Sequence, residues 1–188
     1  MIIRLILLLT ILFAGCTQPA NFYSTDLTGS SLGADFSLTD QNGKLRRLAD
    51  FKNKVVIVFF GYTQCPDVCP TTLGALREVM TDIGAQAERV QVVFITLDPE
   101  RDTEKLLAEY VPAFHPTFLG LRGDAAATAA TAKAFKVFYK KQPGPTADSY
   151  TIDHSTGSYI YDPPGRLRLY MKDRGAPAQA FSEIRPMA

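Results

Sequence analysis

The sequence predicts a layered α/β fold in which a central mixed sheet is flanked by helices. Two apolar runs, at residues 54–60 and 90–97, have the length and continuity of strands that are covered on both faces. A segment with apolar side chains near helical spacing follows each run. Strands that alternate with helices in this way pack in layers around a common core.

An N-terminal hairpin precedes the first of these strands. Apolar and polar side chains alternate over residues 36–39, residues 40–43 read DQNG, and residues 44–48 return as a second short strand. After the strand at 54–60, the spacing of Leu, Val, Met and Ile side chains predicts a helix over about residues 71–87.

Further elements follow the strand at 90–97. They are a helix that begins at residues 102–103, a strand at 118–121, an Ala-rich helix at 124–135, a hairpin that pairs 137–140 with 149–152, a hairpin that pairs 158–162 with 167–171, and a short C-terminal helix. The pattern therefore adds an N-terminal hairpin and a late β-hairpin insertion to the alternating strands and helices.

The length and the composition are those of one folded domain with an additional targeting segment. The chain has 188 residues, and 46% of them are apolar, which is enough to fill a core and argues against disorder. Its 20 basic and 19 acidic residues leave a formal charge of +1. No basic block stands out, so we expect no nucleic acid partner.

The first residues are typical of an export signal. Arg4 supplies a positive charge, and the apolar run at residues 5–13 has about half the roughly 20 residues that a membrane-spanning helix needs. Small residues then precede Cys16, in a pattern that resembles a bacterial lipoprotein signal, where the cysteine is lipidated and becomes the first mature residue. The alternative is an uncleaved N-terminal anchor or a poorly ordered hydrophobic leader.

These expectations divide the chain into three parts. A lipoprotein signal peptide at residues 1–15 is followed by a lipid-anchored flexible tether at 16–34, which is rich in small and polar residues. Residues 35–188 form the folded domain. We therefore expect the domain at the cell membrane, held by its lipid anchor and facing the periplasm or the cell exterior.

A pair of cysteines follows the first buried strand, where residues 61–70 read GYTQCPDVCP. Pro70 fits the first position of the next helix, which places Cys69 at or near the N-cap and Cys65 in the loop before it. Unpaired N–H groups and the positive end of the helix dipole favour thiolate there. A cysteine pair at this point of an α/β domain indicates a thioredoxin-like fold.

The spacing of the two cysteines bears on their chemistry. Redox enzymes with this fold generally have two residues between the cysteines, whereas Cys65 and Cys69 have three between them, and one is a proline. The longer loop allows both sulfur atoms to face one ion. A structural disulfide remains an alternative in an oxidising compartment.

Two histidines are available to complete such a metal site. His115 lies at the end of a predicted helix and is expected to cap or pack, whereas His154 lies just past a predicted strand. Two thiolates and one imidazole suit Cu(I), and they admit Cu(II) with an added ligand. A structural zinc site normally has four protein ligands, and no fourth Cys or His is well placed.

These residues resemble the motifs of the Sco/SenC family, thioredoxin-fold proteins that take part in maturing the dinuclear copper centre of cytochrome c oxidase. The resemblance covers roughly residues 35–185, and its most specific element is the cysteine segment at 61–70. Residues 96–103 (TLDPERDT) resemble a second motif, and residues 118–123 (FLGLRG) resemble a third. Residues 153–155 (DHS) occupy the place of the family's ligand histidine.

The resemblance implies a site. Cys65, Cys69 and His154 would be the copper ligands. Asp98 and Asp102 match positions near the family's site, where carboxylates bear on copper release or partner recognition. Turn formation, with Asp102 as the N-cap of the next helix, is the alternative for these two residues.

The resemblance also implies a role, that of a copper metallochaperone without substrate turnover. Such a protein would pass copper to the copper-centre subunit of cytochrome c oxidase. Other periplasmic copper chaperones or thiol–disulfide reductases would be its further partners.

Two other functions would use the same cysteines. A thiol–disulfide reductase would keep the oxidase's copper-ligand cysteines reduced through a redox-active Cys65–Cys69 pair, and His154 would then be dispensable. A peroxidase is a second alternative, because the residue pattern at 36–43 is similar to that of peroxiredoxin entry strands and Thr63 lies two residues before Cys65. The proline expected upstream of that threonine is missing, and Cys69 lies too near for a typical resolving cysteine.

Overall fold

The structure, a computed structural model, describes residues 24–33, 35–146, 149–172 and 177–188. Its strands, in chain order, are β1 (Thr25–Asp26), β2 (Leu38–Asp40), β3 (Leu45–Arg46), β4 (Val55–Gly61), β5 (Val90–Thr96), β6 (Leu119–Arg122), β7 (Tyr139–Pro143), β8 (Tyr150–His154), β9 (Ser158–Tyr161) and β10 (Leu167–Met171). Its α-helices are α1 (Val68–Ile83), α2 (Glu104–Tyr110), α3 (Ala125–Ala134) and α4 (Pro177–Ile184), and short 3-10 helices cover Leu48–Phe51 and Gly84–Arg89.

Within the described residues, eight strands form one mixed sheet in the order β1-β10-β9-β4-β5-β6-β2-β3. β5 is parallel to both β4 and β6, and the other neighbouring pairs are antiparallel. The pairing of β4 with β5 runs from Val55 opposite Val90 to Gly61 opposite Thr96, and every residue of both strands is buried. The prediction of a central mixed sheet around two buried strands is confirmed.

The sheet separates two hydrophobic cores, one on each face. Alternate side chains of β4, beginning with Val55, enter a core that is shared with α1 and α4. The intervening side chains, beginning with Val56, enter a second core that is shared with the first 3-10 helix and the end of α3. Because both faces are covered, β4 and β5 are apolar throughout instead of alternating.

Helix α1 begins three residues before the predicted start and ends four residues before the predicted end. The prediction that Pro70 opens the helix is wrong: Asp67 is the N-cap residue, Cys69 is the second helical residue and Pro70 is the third. N–H groups of the first turn lack intrahelical acceptors, so a proline is tolerated at each of these positions. The helix ends at Ile83 because Gly84 takes a positive φ of 58°.

Residues 24–33 belong to the folded domain, although the sequence predicts a flexible tether over residues 16–34. β1 pairs antiparallel with β10, and the Tyr161 hydroxyl donates to the Gly33 carbonyl oxygen at 2.7 Å. The prediction of a flexible tether is therefore wrong for residues 24–33. A two-residue strand stabilised by backbone pairing at a sheet edge leaves little trace in composition.

Residues 1–23 lie outside the described residues, and with them lie the predicted signal peptide and the predicted lipidation site Cys16. Over the described ranges, none of the helices combines the length and the apolar character needed to cross a bilayer. Export and lipidation therefore stay predictions.

The late hairpin stands apart from the main sheet. β7 pairs antiparallel with β8, and the two form a separate two-stranded sheet. Both strands lie about two residues further along the chain than predicted, so His154 is the last residue of β8, opposite Tyr139. The hairpin insertion is confirmed, and it carries His154 within a strand rather than just past one.

A buried carboxylate organises the turn between β2 and β3. Asp40 accepts hydrogen bonds from the backbone N–H groups of Asn42 (2.8 Å) and Lys44 (3.0 Å) and from Arg46 Nε (2.7 Å). Burial alone would raise the pKa of Asp40, but these donors outweigh it and hold the pKa below its usual range. The ionised carboxylate therefore stabilises the folded state.

We predict that Asp40→Asn lowers the free energy of unfolding by about 1–3 kcal/mol at neutral pH, because an amide cannot satisfy all three donors. The folded pKa is depressed, so the contribution of Asp40 is present above the ordinary carboxyl pKa and is lost as the pH falls through the folded value. Urea unfolding between neutral pH and about pH 2 should show the two proteins converging. A constant difference over this range would contradict the role given to the carboxylate.

Candidate metal centre

Three side chains from distant parts of the chain meet beside the carboxyl end of β4. Cys65 lies in the loop before α1, Cys69 lies in the first turn of α1, and His154 ends β8. Their ligand atoms all lie within 4.8 Å of one another, and Cys69 Sγ is 3.7 Å from His154 Nε2. The structure thus brings together the three residues that the sequence identifies as candidate ligands.

Gly61, the last residue of β4, leaves the space that Cys69 occupies. A Cβ atom on Gly61 would lie 2.7 Å from Cys69 Sγ and 2.8 Å from a ring carbon of Phe94, which is too close for any side chain. The Cys65 N–H donates to the Tyr62 carbonyl oxygen at 3.2 Å, and the Cys69 N–H donates to Cys65 Sγ at 3.4 Å. The end of the strand and the first turn of the helix therefore set the positions of both sulfur atoms.

The imidazole of His154 is oriented by the backbone and by an aromatic neighbour. His154 Nδ1 lies 2.9 Å from the Ser155 carbonyl oxygen, which can only accept, so Nδ1 carries the proton. The lone pair of Nε2 is then on the side of Cys69. The ring of Tyr62 meets the imidazole edge-on, with centroids 6.0 Å apart. This fixed tautomer is the one a metal ligand needs.

Burial decides the protonation of Cys69. Its side chain is fully buried, whereas Cys65 is partly exposed. Burial raises the pKa of the Cys69 thiol well above its usual range, and the neighbouring sulfur of Cys65 acts in the same direction. Burial therefore disfavours at Cys69 the thiolate that is expected at this helix terminus, because the charged sulfur loses its contact with water. A bound cation would reverse this balance by supplying positive charge.

Asp102 lies behind the cysteine loop and does not cap the helix that follows it. Its buried carboxylate accepts from the backbone N–H (3.1 Å) and the hydroxyl (2.6 Å) of Thr63, and from the hydroxyl of Thr96 (2.5 Å). The N-cap of α2 is Thr103, whose hydroxyl accepts from the Leu106 N–H at 3.2 Å. Asp102 therefore ties the end of β5 to the loop that leads into the cysteine pair.

Asp98 is also fully buried, and it contacts the late hairpin. Its carboxylate accepts from the Tyr150 hydroxyl at 2.7 Å and pairs with Arg101. Neither Asp98 nor Asp102 presents a carboxylate at the surface, so both reach the site through other side chains. The sequence analysis does not single out Arg101 or Tyr150 as residues near the site. The signal that could have pointed to Arg101 is its position between Asp98 and Asp102 in the chain.

His115 lies apart from this group of ligands. Its Nδ1 atom is 2.9 Å from Thr117 Oγ1, and its ring packs against Phe118 with centroids 5.2 Å apart. The packing role expected for His115 is confirmed.

The candidate ligands open onto solvent through a cleft of about 320 Å³. Cys65 and His154 line it, together with residues from the start of α1 and from β8. Thiolate and imidazole are the ligands that a soft ion such as Cu(I) prefers, so the donor set fits that ion. The cleft leaves Cys65 and His154 accessible from outside the protein, with Cys69 buried behind them.

We predict that the two cysteines of the reduced, metal-free domain react very differently with iodoacetamide. Cys65 should be alkylated about tenfold or more faster than Cys69, because Cys69 is buried and its thiol holds its proton. Mass spectrometry of the separate peptides measures both rates. The same reaction in guanidinium chloride is the control and should modify both cysteines equally, while equal rates in the folded protein would contradict the burial of Cys69.

The chain is similar in sequence to a protein family and to several of its members. The family model described as SCO1/SenC matches residues 24–188. The mitochondrial SCO2 homolog of Bos taurus is 39% identical over 153 residues, which cover 80% of this chain and 58% of that protein. The SCO2-like protein of Rickettsia felis is 39% identical over 136 residues, which cover 72% of this chain and 66% of that protein. The chain therefore spans less than two thirds of the length of both relatives.

Solved structures have the same architecture. Bradyrhizobium japonicum ScoI with copper bound is 39% identical, with a TM-score of 0.77 and coverage of 84% of this chain and 99% of that one. The solution structure of apo Sco1 from Thermus thermophilus is 38% identical, with a TM-score of 0.79 and coverage of 89% and 98%. These likenesses bear out the thioredoxin-like α/β fold. Sequence and structure together show that the chain belongs to the SCO1/SenC family.

Proposed function

We propose that this protein binds copper through Cys65, Cys69 and His154 and assists assembly of the dinuclear copper centre of cytochrome c oxidase. The observation that carries the proposal is the meeting of two sulfur atoms and one imidazole nitrogen within 4.8 Å of one another. Such a set suits Cu(I) and admits Cu(II) with an added ligand. ScoI of B. japonicum and Sco1 of yeast, both relatives in structure, were solved with copper bound, which supports the choice of metal.

Each proposed ligand has a distinct part. His154 offers the lone pair of Nε2, because its Nδ1 proton is held by the Ser155 carbonyl oxygen. Cys69 must lose its proton when the metal binds, and Cys65 lies nearer the solvent. Copper is the cargo in this proposal. A site with three ligands beside an open cleft leaves a side from which a receiving protein can approach.

The expected partners follow from this role. The copper-centre subunit of cytochrome c oxidase would receive the metal, and other periplasmic copper chaperones would supply it. Thiol–disulfide reductases would keep Cys65 and Cys69 reduced, because a disulfide cannot ligate copper. The redox state of the pair would therefore gate metal loading.

The alternatives that involve catalysis have less support. A reductase or a peroxidase would react through Cys65, the partly exposed cysteine, and neither reaction gives a part to His154, whose Nε2 atom lies 3.7 Å from Cys69 Sγ. The Thr63 hydroxyl, which the peroxidase hypothesis places near the reacting sulfur, donates instead to Asp102 at 2.6 Å. Copper binding without substrate turnover remains the better account of the site.

Copper titration tests the proposal. We predict that the reduced protein binds about one Cu(I) per chain and that His154→Ala lowers the affinity by more than about tenfold, since loss of a ligand should exceed the loss of an outer partner. Competition with a coloured Cu(I) chelator measures the affinity. The protein oxidised at Cys65 and Cys69 should bind little copper.

The chain offers a matched control in its other histidine. His115→Ala should leave the affinity unchanged, because His115 packs against Phe118 away from the cysteines. A wild-type protein that binds no copper would refute the proposed function. Equal affinities for wild type and His154→Ala would remove His154 from the ligand set.

We also propose that Cys16 is lipidated and holds the domain at the cell membrane, facing the periplasm or the cell exterior. The support is the apolar run at residues 5–13 and the small residues before Cys16. We predict that the chain incorporates labelled fatty acid in cells and that Cys16→Ser does not, because no acyl chain can then be attached. Metabolic labelling with immunoprecipitation measures this, and Cys65→Ser is the control that should still be labelled. A wild-type chain that takes up no label would favour the uncleaved anchor.

A further inference from the structure

The strand that carries His154 has no backbone pairing with the main sheet. Within the described chain, β8 pairs with β7, and the two strands form a sheet of their own. On the side of the main sheet, the Ile152 N–H donates to the Tyr62 hydroxyl at 3.2 Å. The distance between His154 and the cysteines therefore depends on the short chain link from His154 to β9 and on side chains that hold the hairpin against the domain, among them the buried Ile152.

Arg101 lies on a third loop, and its side chain touches both ligand-bearing segments. Its Nη1 atom donates to the Tyr150 carbonyl oxygen of β8 at 2.9 Å and to Gln64 Oε1, beside Cys65, at 3.0 Å. The guanidinium carbon also lies 3.5 Å above the centre of the Tyr150 ring. A cation stacked on an aromatic face adds attraction to these hydrogen bonds. One residue of a third loop thus joins the hairpin to the cysteine loop.

Asp98 holds Arg101 in this position. Its carboxylate pairs with Arg101 Nε through one oxygen and accepts from the Tyr150 hydroxyl at 2.7 Å through the other. Asp98 is fully buried and the Arg101 side chain is 19% exposed, so water screens these contacts only weakly. The three residues form a closed ring of contacts between the loop after β5 and the start of β8.

We infer that Arg101 is a positioning residue of the metal centre, which holds β8 against the cysteine loop and so keeps His154 beside Cys69. The inference rests on the proposed copper function and deepens it. The cysteine loop has its own attachment through Thr63 and Asp102, so the part that Arg101 secures is the hairpin.

Only an arginine can make this set of contacts. The planar guanidinium offers Nε to Asp98, Nη1 to two acceptors and a flat face to the Tyr150 ring, whereas a lysine is a single point charge. The loop after β5 does not depend on Arg101 alone. Arg122 donates to the carbonyl oxygens of Pro99 (3.0 Å) and Asp102 (3.1 Å), which should hold this loop when Arg101 is replaced.

A double-mutant cycle tests the inference. Arg101→Met should lower the Cu(I) affinity of the otherwise wild-type protein about tenfold, as the loss of an outer partner does at other metal sites. In the His154→Ala background the same change should alter the affinity by less than about twofold, because the residue it positions is gone. Arg101→Lys should recover only part of the loss. Arg166→Met, which removes a paired arginine from the β9–β10 turn, is the matched control and should leave the affinity unchanged.

Hydrogen exchange provides a readout that needs no copper. In the reduced, metal-free protein, Arg101→Met should speed exchange of the β7–β8 amides and leave β4 and β5 protected as in wild type. Tyr150→Leu, which removes the ring beneath the guanidinium, should shift exchange and affinity in the same direction. This second variant keeps the test decisive if Arg101→Met does not fold.

The outcomes separate this inference from the function on which it rests. One outcome is that wild type binds copper and His154→Ala weakens the binding, but Arg101→Met neither lowers the Cu(I) affinity nor speeds amide exchange in the hairpin. The positioning role is then overturned and the proposed function stands. Equal losses from Arg101→Met with and without His154 would also overturn it, because Arg101 would then act on the fold or the cysteines. A wild-type protein that binds no copper refutes the proposed function, and hairpin exchange alone then decides whether Arg101 holds β8.

Discussion

The in-register parallel pairing of β4 with β5 is the constraint on which the rest of the structure depends. Both strands are buried along their whole length and run in the same direction, so Gly61 and Thr96 end side by side. The loops that leave these two ends therefore meet, and Asp102 of one loop accepts hydrogen bonds from Thr63 of the other. A slip of one residue would move every side chain of a strand to the opposite face of the sheet, so the register of this pairing sets where the two loops begin.

The three proposed ligands are positioned by two different parts of the fold. Cys69 is packed into the core in space that Gly61 leaves open, and Cys65 is linked to it through the first turn of α1. His154 belongs to a hairpin outside the main sheet, which side chains fasten to the domain. The proposed site therefore combines two sulfur atoms placed by the main sheet and α1 with an imidazole placed by a separate two-stranded sheet.

Sequence patterns predict most of this architecture, and the errors share a cause. The apolar runs that became β4 and β5, the Ala-rich helix α3 and the late hairpins are all local signals, and each element appears near its predicted place. The start of α1 and strand β1 are missed because a helix terminus and a two-residue edge strand depend on contacts with distant residues. Local sequence favours Asp102 as the N-cap of the next helix. In the folded chain its carboxylate instead accepts hydrogen bonds from the hydroxyl groups of Thr63 and Thr96.

Residue patterns alone predict the fold class and the cysteine pair at the end of a buried strand, and the motifs resemble those of the family to which the chain belongs. Ligand chemistry and family resemblance together also singled out His154, although its position along the chain carries little information. The burial of Cys69, which raises the pKa of its thiol, is visible in the tertiary structure alone, because desolvation depends on what surrounds the sulfur atom. The tertiary structure also decided how His154 reaches the cysteines, since contacts such as those of Arg101 with Gln64 and Tyr150 join segments that are far apart in sequence.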